Sequence, residues 1–199
     1  MTENSEPQIA GLLLAAGGSS RLGRPKQLVE FEGKALVRRA AEALIDAGCS
    51  PVIVVLGAEA ERSRQELEGL EVEVVINEDW GSGMGSSIAR GMRSVLAAVS
   101  VPDAVLISLC DQPFVTSEKL HPFLDAFRES RPDLIAAFNN DVAGVPALFS
   151  ANLYPDLTTL KGEKGAREII RNSPNAVTIP LPEAAIDVDT SADLSGLSD

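Results

Sequence analysis

The sequence predicts a three-layer α/β protein, in which helices cover both faces of a mostly parallel central sheet. Two observations lead to this class. Short, continuous apolar runs, typical of strands that are covered on both faces, recur along the first two thirds of the chain. Between them lie segments whose apolar residues are spaced as on amphipathic helices. Strands that alternate with helices pair in parallel through crossover connections, which gives the mostly parallel sheet.

The individual elements follow from these runs. Five strands are predicted, over residues 9–16, 51–57, 72–77, 103–110 and 134–138. Helices are predicted over residues 34–47, 59–69, 84–98 and 117–129. The first helix shows the pattern clearly, because its apolar residues fall on one helical face: Leu36, Ala40, Ala43, Leu44 and Ala47.

After about residue 139 the alternation weakens. A short apolar run, two helices and the segments NAVTIPL and IDVDTSADL follow, and we interpret them as a substrate-side elaboration of the same domain. No repeat, low-complexity tract or linker divides the 199 residues, so a single domain over residues 1–199 is expected. Residues 1–8 and about 195–199 are expected to be flexible.

Charge and composition exclude several classes of function. With 17 basic and 29 acidic residues the net charge is −12, which disfavours nonspecific binding to nucleic acid or to an anionic membrane. The polar start MTENSEPQ does not resemble a secretion signal, and no apolar run approaches the roughly 20 residues of a membrane span. We therefore expect a cytoplasmic protein. Cys49 and Cys110 lack a CxxC spacing and nearby histidines, so neither a zinc site nor a disulfide is expected.

The segment GGSSRLGRPK, residues 17–26, concentrates basic charge directly after the first strand. Its glycines let backbone N–H groups approach a ligand, and its arginines and lysine can pair phosphate oxygens. A Walker A loop is excluded because Arg24 and Pro25 stand where lysine and a hydroxyl residue belong, and Pro25 also interrupts a dinucleotide-binding pattern. From the residues alone, the segment is either a polyphosphate cradle or a solvated turn.

Three further segments follow predicted strands, where open α/β sheets bind their ligands. Asp111, in CDQP, is either a metal ligand or a turn aspartate. Asp187 and Asp189 share a face if they lie on a strand, although DVDTSAD also fits the start of a helix. In GSGMGSS, Ser86 and Ser87 either face a nucleotide or cap an ordinary helix.

Two features of the second half of the chain are considered as parts of a binding site, the KGEKGAR segment and the lone histidine. The segment KGEKGAR, residues 161–167, suits the phosphate of an acceptor and equally the exposed start of a helix. The lone histidine, His121, lies on a predicted helix away from these loops, and we expect it to be structural.

The motifs together resemble a known family. The signature LAAGxSxRxGxxK is met by Leu14, Ala15, Ala16, Gly17, Ser19, Arg21, Gly23 and Lys26. The segments GMGSSIARGM, LCDQP, GVPALF, KGEKGAR and DVDTSADL follow in the family's order. The chain thus resembles, over nearly its whole length, the MobA-like NTP transferases, and within them the molybdenum cofactor cytidylyltransferases. The resemblance implies a Rossmann-like fold of the nucleotide-diphospho-sugar transferase type.

The resemblance also implies a reaction, in which CMP passes from CTP to a phosphorylated acceptor, molybdenum-bearing molybdopterin, and pyrophosphate is released. The nucleotide-binding residues it implies are Leu14, Ala15, Ala16, Gly17, Gly18, Ser19, Ser20, Arg21, Lys26, Ser86 and Ser87. The implied catalytic residues are Arg21, Lys26 and Asp111, and the implied ligands of Mg²⁺, with Mn²⁺ as the alternative, are Asp111 and Asp189. Asp187 is left outside this set.

Other functions of the same motifs remain open. The choice of CTP over another NTP depends on the LAAG start, because guanylyltransferases more often show LAGG. Val145 replaces the residue expected in a GHP or GNP sequence, which leaves the acceptor open between molybdopterin and another phosphorylated small molecule. The alternatives are a guanylyltransferase for the same cofactor, a sugar- or polyol-phosphate cytidylyltransferase, and a noncatalytic protein that delivers the cofactor to a client molybdoenzyme.

Overall fold

The computed structural model describes residues 6–19, 22–163, 165–188 and 193. Within these ranges the strands are β1 (Ile9–Ala15), β2 (Glu30–Phe31), β3 (Lys34–Ala35), β4 (Val52–Leu56), β5 (Glu73–Ile76), β6 (Ala104–Leu109), β7 (Leu134–Asn139), β8 (Val142–Ser150) and β9 (Val177–Pro180). The α-helices are α1 (Leu36–Asp46), α2 (Ala60–Glu66), α3 (Met84–Ala97), α4 (Ser117–Ser130), α5 (Tyr154–Thr158) and α6 (Arg167–Arg171).

The main sheet has seven strands in the order β5–β4–β1–β6–β8–β7–β9. The first four are parallel, β8 is antiparallel to both of its neighbours, and β9 is parallel to β7. The central strand β1 is buried along its whole length, as expected for a strand that is covered on both faces. The predicted mostly parallel sheet is thereby confirmed.

A hydrophobic core lies on each face of this sheet. On one face, Val37 of α1 and Phe123 of α4 pack against strand residues such as Leu13. On the other face, Met92 of α3 packs with Leu12 and with residues of α5 and α6. Because successive residues of β1 alternate between the two cores, the strand joins the three layers that the sequence predicts.

The five predicted strands and four predicted helices between residues 9 and 139 are all present, and their ends lie within three residues of the predicted ones. Lys34 and Ala35, predicted as helix, instead form β3, which pairs with β2. The largest difference is β8, which extends the predicted short apolar run into a nine-residue strand. Its start is fixed by Asn140 and Asp141, whose positive φ angles of 45° and 61° make a two-residue hairpin turn after β7.

No helix in the described part of the chain is long and apolar enough to cross a membrane.

Candidate functional site

The glycine loop after β1 is held in place by a buried glutamine. Gln27 is fully buried, and its Nε2 donates to the carbonyl oxygens of Ala15 at 3.0 Å and Gly17 at 2.6 Å. A second contact joins the two ends of the loop, because the backbone N–H of Lys26 donates to Ser19 Oγ at 2.9 Å. These bonds fix the backbone on both sides of the loop and place Lys26 beside the end of β1.

Lys26 pairs with Asp111 across this edge of the sheet. Its Nζ donates to Asp111 Oδ2, and both side chains are largely buried. Within the described residues, Asp111 Oδ1 is buried without a hydrogen-bond partner. Because β1 and β6 are neighbours, their carboxyl ends bring together two residues that are 85 positions apart.

The carboxyl-terminal segment also reaches Asp111. The backbone N–H of Val188 donates to the Asp111 carbonyl at 2.9 Å, and Val188 is fully buried. This bond brings the segment that contains Asp187 to the same edge of the sheet. The predicted residues Ser20, Arg21 and Asp189 lie outside the described residues.

A cavity of about 110 Å³ opens between these elements. It is lined by Leu14, Ala15, Ala16, Gly17, Lys26, Trp80, Met84, Ser87, Leu109, Cys110 and Asp111. The structure therefore brings together most of the residues predicted to bind the nucleotide. Among the predicted residues that the structure describes, Gly18, Ser19 and Ser86 do not line the cavity, and Gly18 lies against Trp80.

The two predicted serines are tied to a buried asparagine at the end of β5. Asn77 Nδ2 donates to Ser86 Oγ at 2.9 Å and to Ser87 Oγ at 3.0 Å. Ser86 Oγ in turn donates to the carbonyl oxygen of Gly83 at 2.8 Å, which holds this hydroxyl within the first turn of α3. The sequence interpretation missed Asn77, although a polar residue directly after a strand of an α/β sheet indicates a site residue.

Trp80 lies over the glycine loop, and the sequence interpretation missed it too. A Cβ atom at Gly57 would lie 2.6 Å from Trp80 Cβ, and one at Gly18 would lie 2.8 Å from Trp80 Cζ3. Only glycine therefore leaves room for the indole at both positions. The ring forms one wall of the 110 Å³ cavity and stays partly exposed.

The segment KGEKGAR docks on the start of α3. The backbone N–H of Gly85 donates to the Gly162 carbonyl at 2.9 Å. Gly83 has a φ of 114°, and a Cβ there would lie 2.4 Å from the Gly162 carbonyl carbon. The two backbones thus touch directly, and α6 begins at Arg167, at the end of the segment. Lys164 lies outside the described residues.

A second cavity, of about 400 Å³, adjoins the first. The two cavities share Leu14, Met84 and Leu109 as lining residues. Gln112 also lines the larger one, and its Nε2 donates to the Ala184 carbonyl at 2.8 Å. Val145, predicted to bear on the choice of acceptor, lies in the same wall.

The thiol of Cys110, next to Asp111, is not suited to act as a nucleophile or base. Burial, followed by the charge of Asp111, raises the pKa of the Cys110 thiol far above its ordinary value, so this group stays protonated. His121 lies on α4, outside the residues that line these two cavities.

The described residues contain no group of three or more His, Cys, Asp and Glu side chains suited to a metal ion.

The mostly parallel sheet, with its glycine loop, lysine and aspartate at neighbouring strand ends, defines an α/β protein of the nucleotidyltransferase type. Residues 11–177 match the family model of the MobA-like NTP transferase domain, and the chain belongs to this family. The family indicated by the sequence motifs is thereby confirmed.

Two relatives and two solved structures of one protein are similar to this chain. "Nicotine blue oxidoreductase" from Paenarthrobacter nicotinovorans is 37% identical over 183 residues, which cover 87% of each chain. "Probable molybdenum cofactor guanylyltransferase" from Opitutus terrae is 32% identical over 90 residues, which cover 45% of this chain and 42% of that one. Rv0371c from Mycobacterium tuberculosis H37Rv superposes with a TM-score of 0.81 at 27% identity, covering 97% and 98% of the two chains. A structure of Rv0371c in complex with manganese gives a TM-score of 0.76 at 26% identity, covering 96% and 97%.

Proposed function

We propose that the protein transfers CMP from CTP to the phosphate of molybdenum-bearing molybdopterin and releases pyrophosphate. The observation that carries this proposal is the contact of Lys26 with Asp111 in the wall that also contains residues 14–17. A cation and a carboxylate beside a glycine loop are the groups that in-line transfer of a nucleotidyl group requires.

In the proposed reaction, an oxygen of the acceptor phosphate attacks the α-phosphorus of CTP. The bond from this phosphorus to the oxygen that bridges to the β-phosphate breaks, and pyrophosphate leaves with the bonding electrons. Lys26 would stabilise the negative charge that develops on these oxygens, and Arg21 is proposed to assist it. A phosphate nucleophile is already ionised at neutral pH, so the reaction needs no general base.

We propose Asp111 as a ligand of Mg²⁺, with Mn²⁺ as the alternative ion. A buried carboxylate oxygen without a hydrogen-bond partner among the described residues fits a hard cation well. Asp189 is proposed as the second ligand, and the bond from Val188 to Asp111 supports this choice because Asp189 is the next residue. The ion, when bound, would supply positive charge to the phosphates. Rv0371c was solved in complex with manganese, which supports the proposal of a divalent ion in this protein.

The preference for cytosine is proposed from the LAAG start of the glycine loop. Pyrophosphate release measured with each of the four NTPs, with and without molybdopterin, tests both base and acceptor. We expect release with CTP and molybdopterin together. Thermal unfolding with Mg²⁺ and either CTP or GTP gives a second reading, since the better ligand raises the melting temperature more. A larger shift with GTP would overturn the assignment of the base.

We also propose a cytoplasmic location and a client molybdoenzyme that receives the product. The noncatalytic alternative, a protein that only delivers the cofactor, predicts binding of molybdopterin without any release of pyrophosphate. The same assay therefore separates the enzyme from the carrier.

A second candidate function is the oxidation or reduction of nicotine blue, because a relative that matches 87% of this chain is named nicotine blue oxidoreductase. Against it, the glycine loop departs from the dinucleotide-binding pattern at Pro25. Consumption of NADH or NADPH in the presence of nicotine blue, without pyrophosphate release, would establish this function instead of nucleotidyl transfer.

A further inference from the structure

Three cavities lie in series along the carboxyl edge of the sheet. The 400 Å³ cavity, called the inner cavity below, adjoins the Lys26–Asp111 cavity at one end. It also shares Val142, Ala143 and Arg167 with an outer cavity of about 710 Å³. An acceptor that presents a phosphate to Lys26 would therefore extend through the inner cavity towards Arg167.

Arg167 is the cation at the far end of the inner cavity. It is exposed and forms no hydrogen bond or ion pair with the described residues. Its neighbour Arg171, by contrast, lines only the outer cavity and lies 3.8 Å from Glu168. An arginine left without a carboxylate partner in a chain of net charge −12 has its donors available for an anionic ligand.

The acidic residues around Arg167 decide on which side an anion would bind. Asp141, Glu163 and Glu168 line the outer cavity, so an anion there would meet like charges. In the inner cavity the acidic lining residue is Asp187, next to Val188, whose backbone bonds to Asp111 at the opposite end. The inner face of Arg167 is thus the favourable side for negative charge.

The position of Arg167 is also linked to the Lys26–Asp111 cavity. The segment that precedes it touches the start of α3 through Gly162 and Gly83, and a Cβ atom at Gly165 would lie 3.0 Å from the sulfur of Met84. Met84 lines both the Lys26–Asp111 cavity and the inner cavity. These contacts fix the backbone that leads into Arg167 relative to the Lys26–Asp111 cavity.

We infer that Arg167 determines specificity for an acceptor with two anionic groups, namely the phosphate that reacts at Lys26 and a second anion at the far end. This inference rests on the proposed function for the direction in which the acceptor lies. The second group would be the anionic metal-oxo centre of the proposed acceptor. Arg167 is a specificity residue, since the reacting atoms lie at the other end of the cavity.

The test is calorimetric binding of two sugar phosphates without nucleotide, so that no turnover is needed. Fructose 1,6-bisphosphate carries two separated phosphates and fructose 6-phosphate carries one. We expect the wild-type protein to bind the bisphosphate about tenfold more tightly, the effect of one charge-assisted contact. Arg167→Gln abolishes this preference, Arg167→Lys keeps part of it, and the matched control Arg171→Gln keeps it in full.

Two results would overturn the inference: a wild-type protein that binds both sugars equally, or an Arg167→Gln variant that still prefers the bisphosphate. We expect equal melting temperatures for the wild-type protein and its variants, because Arg167 is exposed. Equal values exclude misfolding as the cause of any change in binding. Because neither CTP nor molybdopterin is used, failure here is distinct from failure of the proposed reaction.

Discussion

The ammonium group of Lys26 contacts the carboxylate of Asp111, and this pair joins the loop after β1 to the turn after β6. Both side chains are largely buried, so each charge offsets the cost of burying the other. Nearby lie residues 14–17, whose backbone lines the same cavity. The pair is the centre of the candidate site.

Replacing Lys26 by alanine should lower kcat for pyrophosphate release from CTP by about 100-fold, because a cation beside the developing charge is lost. The fold should persist, with a melting temperature that remains measurable in a single transition. Lys34→Ala is the matched control, since Lys34 is an exposed lysine away from the site that pairs with Glu42. If Lys26→Ala kept the same rate as Lys34→Ala, Lys26 would take no part in catalysis.

Replacing Gln27 by leucine should destabilise the protein by about 2 to 4 kcal/mol, since two carbonyl oxygens lose their donor in a buried place. Urea denaturation measures the change in the free energy of unfolding. Gln65→Leu on α2 serves as control, because Gln65 is exposed and should change the free energy by less than about 0.5 kcal/mol. Equal effects of the two variants would mean that Gln27 does not hold the loop.

Replacing Gly83 by alanine should separate the KGEKGAR segment from α3 and cost about 2 kcal/mol or more, by overpacking and by strain at positive φ. Gly81→Ala is the control, because a Cβ atom there would meet nothing within 4 Å. Denaturation curves of both variants give the comparison. We expect Gly83→Ala to raise the KM for the acceptor as well, and an unchanged stability would contradict the close backbone contact.

Neither cysteine should react with iodoacetamide at pH 8 while the protein is folded. Both are buried, and burial raises the pKa of Cys49 to about 12 and that of Cys110 further, with Asp111 adding to the second shift. Because the raised pKa keeps both thiols protonated at this pH, alkylation should require unfolding. Mass spectrometry before and after addition of urea tests this, and rapid labelling of Cys110 in the folded protein would contradict its burial.

Much of the fold could be predicted because β1 and β4 are continuous apolar runs that only a doubly covered sheet explains. The same reasoning indicated the residues at strand ends, and the structure brings Lys26 and Asp111 together there. The length of strand β8 was harder to predict from the sequence. Its first half is partly exposed, and its start is signalled only by Asn140 and Asp141.

The supporting residues of the site were harder to predict from the sequence. Gln27 acts through bonds to backbone carbonyls, and Asn77 acts through two serine hydroxyls on another element. Trp80 acts by filling the space over two glycines that are 39 positions apart, at Gly18 and Gly57. Such roles depend on distances between elements, which neither periodicity nor motif spacing specifies.

Transfer of label from α-phosphate-labelled CTP to molybdopterin, compared between the wild-type protein and Asp111→Asn, tests the proposed reaction most directly. Asparagine keeps the size of the side chain but removes its charge. We predict labelled product in the wild-type protein and a loss of about 100-fold or more in the variant, with the fold retained. Labelled product at the wild-type rate in Asp111→Asn, or no transfer of label from CTP to molybdopterin by the wild-type protein, would contradict the proposed function.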